Sequence, residues 1–253
     1  MTADEYVASI IAKYEVPRGP QSPSELAANN IAPVLRNWAG VWLAELFYSG
    51  SYAKGTGVRG VADVDLFISL KADTPGTLKD LYEGLVSLAT SQNWSPRRQN
   101  VSVRISYAGV AIDLVLGRIQ AGYVNYHSLY WRPTDSWRQT NVRLHVDTVT
   151  ASSRQREIRA VKIWRYLKQL DFPSLYLELF VIDALRGRRA DTLADNVLQA
   201  LRAIGQSLAT TRIEDPANTN NVLSDDLTVQ EKKNIASSAA RSASEQSWGS
   251  IIW

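Results

Sequence analysis

Two aspartates separated by one residue begin an apolar run, and this feature constrains the fold most. Asp63 and Asp65 stand at the start of residues 64–70, which are apolar at nearly every position. In a strand, side chains two residues apart project to the same side, and such an apolar run is typical of a strand buried on both faces. Two neighbouring carboxylates at the start of such a strand repel each other unless a cation lies between them. Oxygen ligands of this kind select a hard ion such as Mg²⁺, so the pattern predicts a metal site.

A third carboxylate lies in a second apolar run. Asp113 stands in the middle of residues 110–116, whose other members are all apolar. Burying a lone ionised aspartate would cost several kcal/mol, and a metal shared with Asp63 and Asp65 would remove that cost. A Gly-Ser turn, Gly50-Ser51, precedes the first pair. Three strand-borne carboxylates after such a turn predict two-metal phosphoryl chemistry.

These residues resemble the DNA polymerase β-type nucleotidyltransferase superfamily. Gly50-Ser51, then Asp63-x-Asp65, then Asp113 follow the order of its motifs. The string GSYAKGTGVRGVADVDLFISL is most similar to the branch of oligoadenylate synthases, bacterial cyclic-oligonucleotide synthases (CD-NTases) and archaeal-type CCA-adding enzymes. Residues 159–164, 172–179 and 215–222 are similar to later segments of that branch, so the resemblance covers about residues 25–245.

The resemblance implies an α+β fold with two lobes and a cleft between them. Residues 22–150 would form a polymerase β-like nucleotidyltransferase lobe, in which helices pack on a mixed sheet. Residues 151–253 would form a helical lobe, with a helix from residues 1–15 packed on it.

The local sequence patterns agree with this architecture. Residues 101–107 alternate with period two and are joined by Ala108-Gly109 to residues 110–116, which predicts a hairpin. Apolar residues at helical spacing predict a long helix from Ser22 to Gly50 and a shorter one over residues 76–92. The same spacing predicts helices over residues 154–170, 174–186, 192–208 and 228–246, whereas residues 117–150 show no clear periodicity.

By resemblance, specific residues acquire roles in the site. Asp63, Asp65 and Asp113 would be the catalytic and metal-binding residues for two Mg²⁺ ions, which Mn²⁺ could replace. The residues expected to bind the nucleotide are Gly50, Ser51, Lys54, Thr56, Lys162 and Ser174. Structural readings compete with these roles: a solvent-facing pair of aspartates, a glycine that ends a helix, and lysines that snorkel to the surface.

Composition excludes several other classes of protein. The chain has no cysteine, which rules out disulfides and cysteine-based zinc sites. Its N-terminus lacks the features of a secretory signal, and no apolar run approaches the roughly 20 residues that a membrane span needs. We therefore expect a cytoplasmic protein without a membrane partner. The sequence does not predict an oligomeric state.

Positive charge is concentrated in the middle of the chain. Residues 97–168 contain thirteen Lys and Arg but only four Asp and Glu, although the whole chain has a net charge of only +3. A basic segment beside a metal site suits a polyanion such as a nucleoside triphosphate or RNA. A solvated basic face explains the same pattern.

Three functions fit the sequence. The first is Mg²⁺-dependent condensation of nucleoside triphosphates into a cyclic or linear oligonucleotide second messenger of the antiphage signalling type, with release of pyrophosphate. The second is template-independent addition of nucleotides to an RNA or tRNA 3′ end, as in CCA-adding enzymes or tRNA-modifying toxins. The third is an inactive module that binds nucleotides or RNA, which would have no need of three mutually repulsive carboxylates. RNA could thus be a substrate, an activator or absent.

Overall fold

The computed structural model describes residues 1–61 and 63–253, which form two compact units. The first unit comprises Met1–Val16, Lys54–Val61 and Asp147–Trp253, and the second comprises Pro17–Ala53 and, among the described residues, 63–146. Each has its own hydrophobic core. Ala62, part of the string that carries the family resemblance, lies outside the described residues. The domain limits expected from the sequence, residues 22–150 and 151–253, stay a prediction.

The α+β fold class predicted from the sequence is confirmed, with a mixed sheet and many helices. The strands are β1 (Leu43–Ser49), β2 (Val64–Leu70), β3 (Arg97–Arg98), β4 (Ser102–Tyr107), β5 (Val110–Ile119), β6 (His127–Trp131), β7 (Ser136–Thr140), β8 (Glu214–Asp215) and β9 (Asn218–Val222). The helices are α1 (Ala3–Lys13), α2 (Pro23–Ala39), α3 (Gly50–Lys54), α4 (Leu78–Ser91), α5 (Val142–Ala151), α6 (Gln155–Leu167), α7 (Ser174–Ala184), α8 (Leu193–Ser207), α9 (Val229–Ala243) and α10 (Trp248–Ile251).

The second unit is organised on a sheet of seven strands. Its main order is β1-β2-β5-β4-β3, and β6 pairs with the end of β5 and with β7. β2 and β5 run parallel, whereas the other pairs in this sheet are antiparallel. β4 and β5 form the predicted hairpin, whose two-residue turn has positive φ at Ala108 (49°) and Gly109 (77°), as a type I′ turn requires. This hairpin sets which residues of β4 face those of β5.

The helix predicted from Ser22 to Gly50 is wrong in its second half. α2 begins as expected, because the Ser22 side chain accepts a hydrogen bond from the Glu25 amide and Pro23 occupies the first turn. It ends at Ala39, where Gly40 adopts a φ of 53°, and the chain then continues into β1. The segment that carries Leu46 therefore pairs with β2 instead of extending a helix.

Helices dominate the first unit. The buried face of α6 includes Ile158, Val161 and Trp164, and the Trp164 indole donates a hydrogen bond of 2.9 Å to Ser242 in α9. α1 packs against α6 and α8, and α8 packs against α9. β8 and β9 form a small antiparallel hairpin after α8. No helix in the described part of the chain combines the length and the apolar character needed to cross a membrane.

Candidate active site

Strand register places two of the predicted catalytic carboxylates side by side. Asp65 in β2 is the direct partner of Asp113 in β5, and Asp65 is also opposite Ser49 in β1. Asp113 is in turn opposite Arg104 in β4. Directly opposed residues project to the same face of a sheet, so one row across four strands carries a hydroxyl, two carboxylates and a guanidinium.

Arg104 joins Asp113 to the third carboxylate. Its Nε donates to Asp113 Oδ1 at 2.9 Å, and its Nη2 donates to Asp113 Oδ2 at 3.0 Å. The same Nη2 also donates to Asp63 Oδ2. Since one nitrogen contacts both carboxylates, Asp63 and Asp113 face each other across the guanidinium. Gln99 adds a fourth contact by donating to Asp113 Oδ1 at 3.2 Å.

Gly50 lies against the carboxylate of Asp65. It has a φ of 54°, and a Cβ added to it would fall 1.9 Å from Asp65 Oδ2. Only glycine leaves room for this approach, and it also adopts a left-handed φ at little cost. Ser51 follows as the second residue of α3 and is partly exposed. The turn that the sequence pairs with the carboxylates thus contacts one of them directly.

The three carboxylates fit a divalent ion by the chemistry of their donor atoms. All are hard oxygen ligands, and the Asp113 side chain is only 11% exposed whereas that of Asp63 is 26% exposed. Burial raises the pKa of Asp63; Arg104 opposes this shift and Asp113 adds to it. Within residues 1–61 and 63–253, no three Asp, Glu or His side chains are grouped as metal ligands are. The guanidinium of Arg104 joins Asp63 and Asp113.

The predicted nucleotide-binding residues Lys54, Thr56 and Lys162 meet at a buried carboxylate in the first unit. Glu178 Oε2 accepts from Lys54 Nζ at 2.8 Å, and Glu178 Oε1 accepts from Lys162 Nζ at 2.5 Å and from the Thr56 hydroxyl at 2.9 Å. Lys162 Nζ also donates to Thr56 Oγ1 at 3.0 Å. All four residues are buried, and Glu178 and Thr56 are 0% exposed. Lys54 and Lys162 are therefore not the snorkelling surface lysines of the alternative reading.

This buried cluster carries one more positive charge than negative. Burial lowers the pKa of Lys162 to about 8, because desolvation of its ammonium outweighs the attraction of Glu178. Burial also opposes ionisation of Glu178, but the two lysines lower its pKa to about 2. The carboxylate is thus charged at neutral pH, and the surplus positive charge remains with the lysines.

Ser174 lies at a separate, open cavity of the same unit. It begins α7 and is exposed, and its hydroxyl accepts a hydrogen bond of 3.0 Å from Arg165. The cavity has a volume of about 430 Å³, and its walls include Tyr166 and Phe172. Burial lowers the pKa of Arg165. Ser174 therefore has a basic neighbour in Arg165.

Two residues that the sequence reasoning missed, Arg104 and Glu178, organise these clusters. The hairpin contained the signal for Arg104, because a two-residue turn that pairs Tyr107 with Val110 must also pair Arg104 with Asp113. The signal for Glu178 was a carboxylate between Leu177 and Leu179 in a mostly apolar helix. An uncompensated charge in such a helix needs a buried partner.

Comparison with known proteins identifies what this chain is similar to. The family model described as a nucleotidyltransferase domain matches residues 33–101, which include Gly50, Asp63 and Asp65. The curated cyclic AMP-AMP-AMP synthase of Escherichia coli (strain MS 115-1) is 25% identical over 234 residues, which cover 83% of this chain and 73% of that protein.

Solved structures share the fold at lower sequence identity. The E. coli MS115-1 CdnC structure with ATP has a TM-score of 0.75 and 22% identity, covering 94% of this chain and 89% of its own. The Bradyrhizobium diazoefficiens CD-NTase CdnG with GTP has a TM-score of 0.78 and 15% identity, covering 96% and 90%. The Elizabethkingia meningoseptica CdnE cyclic dinucleotide synthase with GTP and Apcpp has a TM-score of 0.75 and 13% identity, covering 97% and 100%.

Proposed function

We propose that this chain, a nucleotidyltransferase with the fold of the bacterial CD-NTases, condenses nucleoside triphosphates into a cyclic or linear oligonucleotide and releases pyrophosphate. The observation that carries the proposal is the pairing of Asp65 with Asp113 on adjacent parallel strands, with Asp63 drawn to the same place by Arg104. The relationship to a cyclic AMP-AMP-AMP synthase supports a cyclic product.

The carboxylates account for the chemistry of the proposed reaction. A divalent metal bound by them would stabilise the charge of the triphosphate and activate the attacking ribose hydroxyl; we propose two Mg²⁺ ions, with Mn²⁺ as a substitute. Asp63 and Asp65 hold the negative charge that binds such ions. Asp113 is the proposed acceptor of the hydroxyl proton, and its position in a buried strand fixes its orientation.

The remaining predicted residues would bind the nucleotide. Gly50 and Ser51 offer backbone amides to the β- and γ-phosphates at the start of α3. The surplus positive charge of Lys54 and Lys162 supports a role in binding the triphosphate, for which Thr56 positions the Lys162 ammonium. Ser174, beside Arg165, would contribute from its own cavity. Nucleoside triphosphates are thus the proposed partners, in the cytoplasm.

Turnover of mixed nucleotides tests the proposal. We expect the purified chain, supplied with the four NTPs and Mg²⁺ or Mn²⁺, to release pyrophosphate and to form a phosphatase-resistant product detected by mass spectrometry. Asp65→Asn and Asp113→Asn should abolish both. Asp135→Asn is the matched control, because Asp135 is bound to Lys79 and Tyr130 outside this row of residues. No pyrophosphate from wild type in any mixture, with or without RNA, would contradict the proposal.

Addition of nucleotides to RNA remains the second candidate because the middle of the chain is basic. Much of this charge, however, is neutralised within the protein. Six of the thirteen basic residues in segment 97–168 form ion pairs with carboxylates: Arg98, Arg104, Arg143, Arg154, Arg159 and Lys162. Labelling of tRNA by radioactive ATP or CTP would favour this candidate over synthesis of a free oligonucleotide.

A further inference from the structure

Arg104 is a cation that is bound to two of the three predicted metal-binding carboxylates, Asp63 and Asp113. Its guanidinium contacts both oxygens of Asp113 and one oxygen of Asp63. These contacts neutralise part of the charge that would attract a divalent ion. Because carboxylate oxygens bonded to a guanidinium are charge-assisted acceptors, an ion that approaches them competes with Arg104 for the same atoms.

The three side chains differ in their freedom to move. Asp113 is fixed by its position in β5 and by Gln99, and its side chain is 11% exposed. The Arg104 side chain is 36% exposed, and that of Asp63, which precedes β2, is 26% exposed. The contact between Arg104 and Asp63 therefore joins the two more exposed side chains, and it is the easier of the two carboxylate contacts to break.

We infer that Arg104 is a positioning residue that holds Asp113 and Asp63 together before the metal binds and is displaced from Asp63 by the metal. This inference rests on the proposed metal-dependent function. A guanidinium and a divalent ion on the same two oxygens would repel each other at close range, so the Nη2 contact with Asp63 must open. Arg104 thus lowers the affinity for the metal, but it holds Asp63 and Asp113 in fixed positions before the metal binds.

Binding of Mg²⁺ alone, without nucleotide, tests the inference by isothermal titration calorimetry. We expect Arg104→Gln to bind Mg²⁺ about tenfold more tightly than wild type, a factor that corresponds to about 1.4 kcal/mol. The matched control is Arg98→Gln on β3, which removes the same charge from a pair with Glu83 on the unit's surface. Its affinity should equal that of wild type.

Thermal unfolding supplies a second readout that is independent of activity. Without metal, Arg104→Gln should melt at a lower temperature than wild type, because its carboxylates repel one another without a cation. Saturating Mg²⁺ should raise its melting temperature more than that of wild type or Arg98→Gln, since at a given concentration a ligand that binds more tightly stabilises the folded state more.

The outcomes separate this inference from the proposed function. If wild type binds neither Mg²⁺ nor Mn²⁺, the metal-dependent function fails and the inference fails with it. If wild type binds Mg²⁺ and Arg104→Gln binds it equally or more weakly, only the inference is overturned.

A measurement on wild type covers the case in which Arg104→Gln does not fold. The Nε–H signal of Arg104 in ¹⁵N-arginine-labelled protein, assigned with Arg104→Lys, should shift on addition of Mg²⁺ as the guanidinium leaves Asp63. A signal that Mg²⁺ does not move would overturn the inference.

Discussion

Gly50 is required because the Asp65 carboxylate lies where a side chain would begin. An alanine Cβ at this position would stand 1.9 Å from Asp65 Oδ2, which is far inside van der Waals contact. We expect Gly50→Ala to displace the carboxylate and to lower the rate of pyrophosphate release by at least about 100-fold, since a misplacement of about 1 Å costs that much. The rate is measured with saturating NTPs and Mg²⁺.

Gly109→Ala is the control for backbone strain. Gly109 also has a positive φ, of 77°, but nothing lies within 4 Å of an added Cβ. Both substitutions should cost about 1 kcal/mol of stability from the left-handed backbone, so only Gly50→Ala should lose activity. Equal activity in the two variants would show that the Asp65 position does not depend on Gly50.

Glu178 is expected to be the most costly single charge to remove from the helical unit. Glu178→Gln would leave the ammonium groups of Lys54 and Lys162 buried without a counter-charge, which typically costs about 3–5 kcal/mol. Urea unfolding measures the loss. Glu15→Gln is the comparison, because Glu15 is 57% exposed in its pair with Arg159 and an exposed pair contributes about 0–1 kcal/mol. Similar losses of stability in the two variants would contradict the burial of Glu178 with Lys54 and Lys162.

The lowered pKa of Lys162 predicts a stability that rises with pH. Its pKa falls from 10.5 to about 8 on folding. Between these values the unfolded chain binds more protons than the folded one, so the free energy of unfolding gains from this group as pH increases. The gain is at most about 3 kcal/mol. The difference in free energy of unfolding between wild type and Lys162→Met, measured with urea at pH 7 to 10, should show this rise. A difference that does not change with pH would refute the prediction.

At this scale the sequence predicted residues better than it predicted their partners. The spacing of Asp63 and Asp65 and the apolar run around Asp113 indicated a shared acidic site, and the strand register brings the latter two together. Arg104 was missed because a basic residue at a partly exposed strand position has no distinctive local pattern. Only the register of the hairpin, a property of two strands together, reveals its partner.

At the scale of elements, β5 depends on Gly117 at the point where it pairs with β6. A Cβ on Gly117 would lie 2.6 Å from Phe67 Cζ and 3.0 Å from atoms of His127 and Leu129. We expect Gly117→Ala to destabilise the protein by about 1–3 kcal/mol through overpacking, measured by urea unfolding. Gly84→Ala in α4 should instead stabilise it by about 0.5–1 kcal/mol, because the nearest atom, in Trp38, is 3.6 Å away. If the side chains around Gly117 could move to admit the added methyl group, Gly117→Ala would not destabilise the protein, and the two variants would not change stability in opposite directions.

Element prediction succeeded where periodicity and boundary signals agreed. α4 begins with a capping box of Thr77 and Asp80 and has apolar residues at helical spacing, so its limits follow from local interactions. β1 was mistaken for helix because Trp38, Trp42 and Leu46 are spaced four residues apart. Pairing with β2 decides its conformation, and such a tertiary contact overrides a short local pattern. β6 and β7 were missed because their side chains show no alternation.

For the whole molecule, the distribution of charge argues against RNA as the principal ligand. Six of the thirteen basic residues in segment 97–168 form ion pairs with carboxylates inside or outside the segment. In addition, the Arg138 guanidinium carbon lies 3.5 Å from the centre of the Trp131 ring, and Arg118 donates hydrogen bonds to the backbone carbonyls of Thr74 and Gly76. Basic side chains that are already paired within the protein are less available to pair with phosphates, so few counterions are released when a polyanion binds. The segment therefore attracts a polyanion less strongly than its composition indicates.

We therefore expect only nonspecific affinity for single-stranded RNA, with a Kd of about 10⁻⁴ to 10⁻⁶ M at physiological salt. Fluorescence anisotropy across a range of salt concentrations measures both the affinity and its salt dependence, with unlabelled tRNA as competitor. Arg97→Gln should weaken the nonspecific binding. The double variant Arg98→Gln/Glu83→Gln, in which Arg98 lies next to Arg97 on the same strand, removes a neutral ion pair and should leave that binding unchanged. Tight binding to tRNA, together with extension of its 3′ end, would show that this chain adds nucleotides to RNA and does not make a free oligonucleotide.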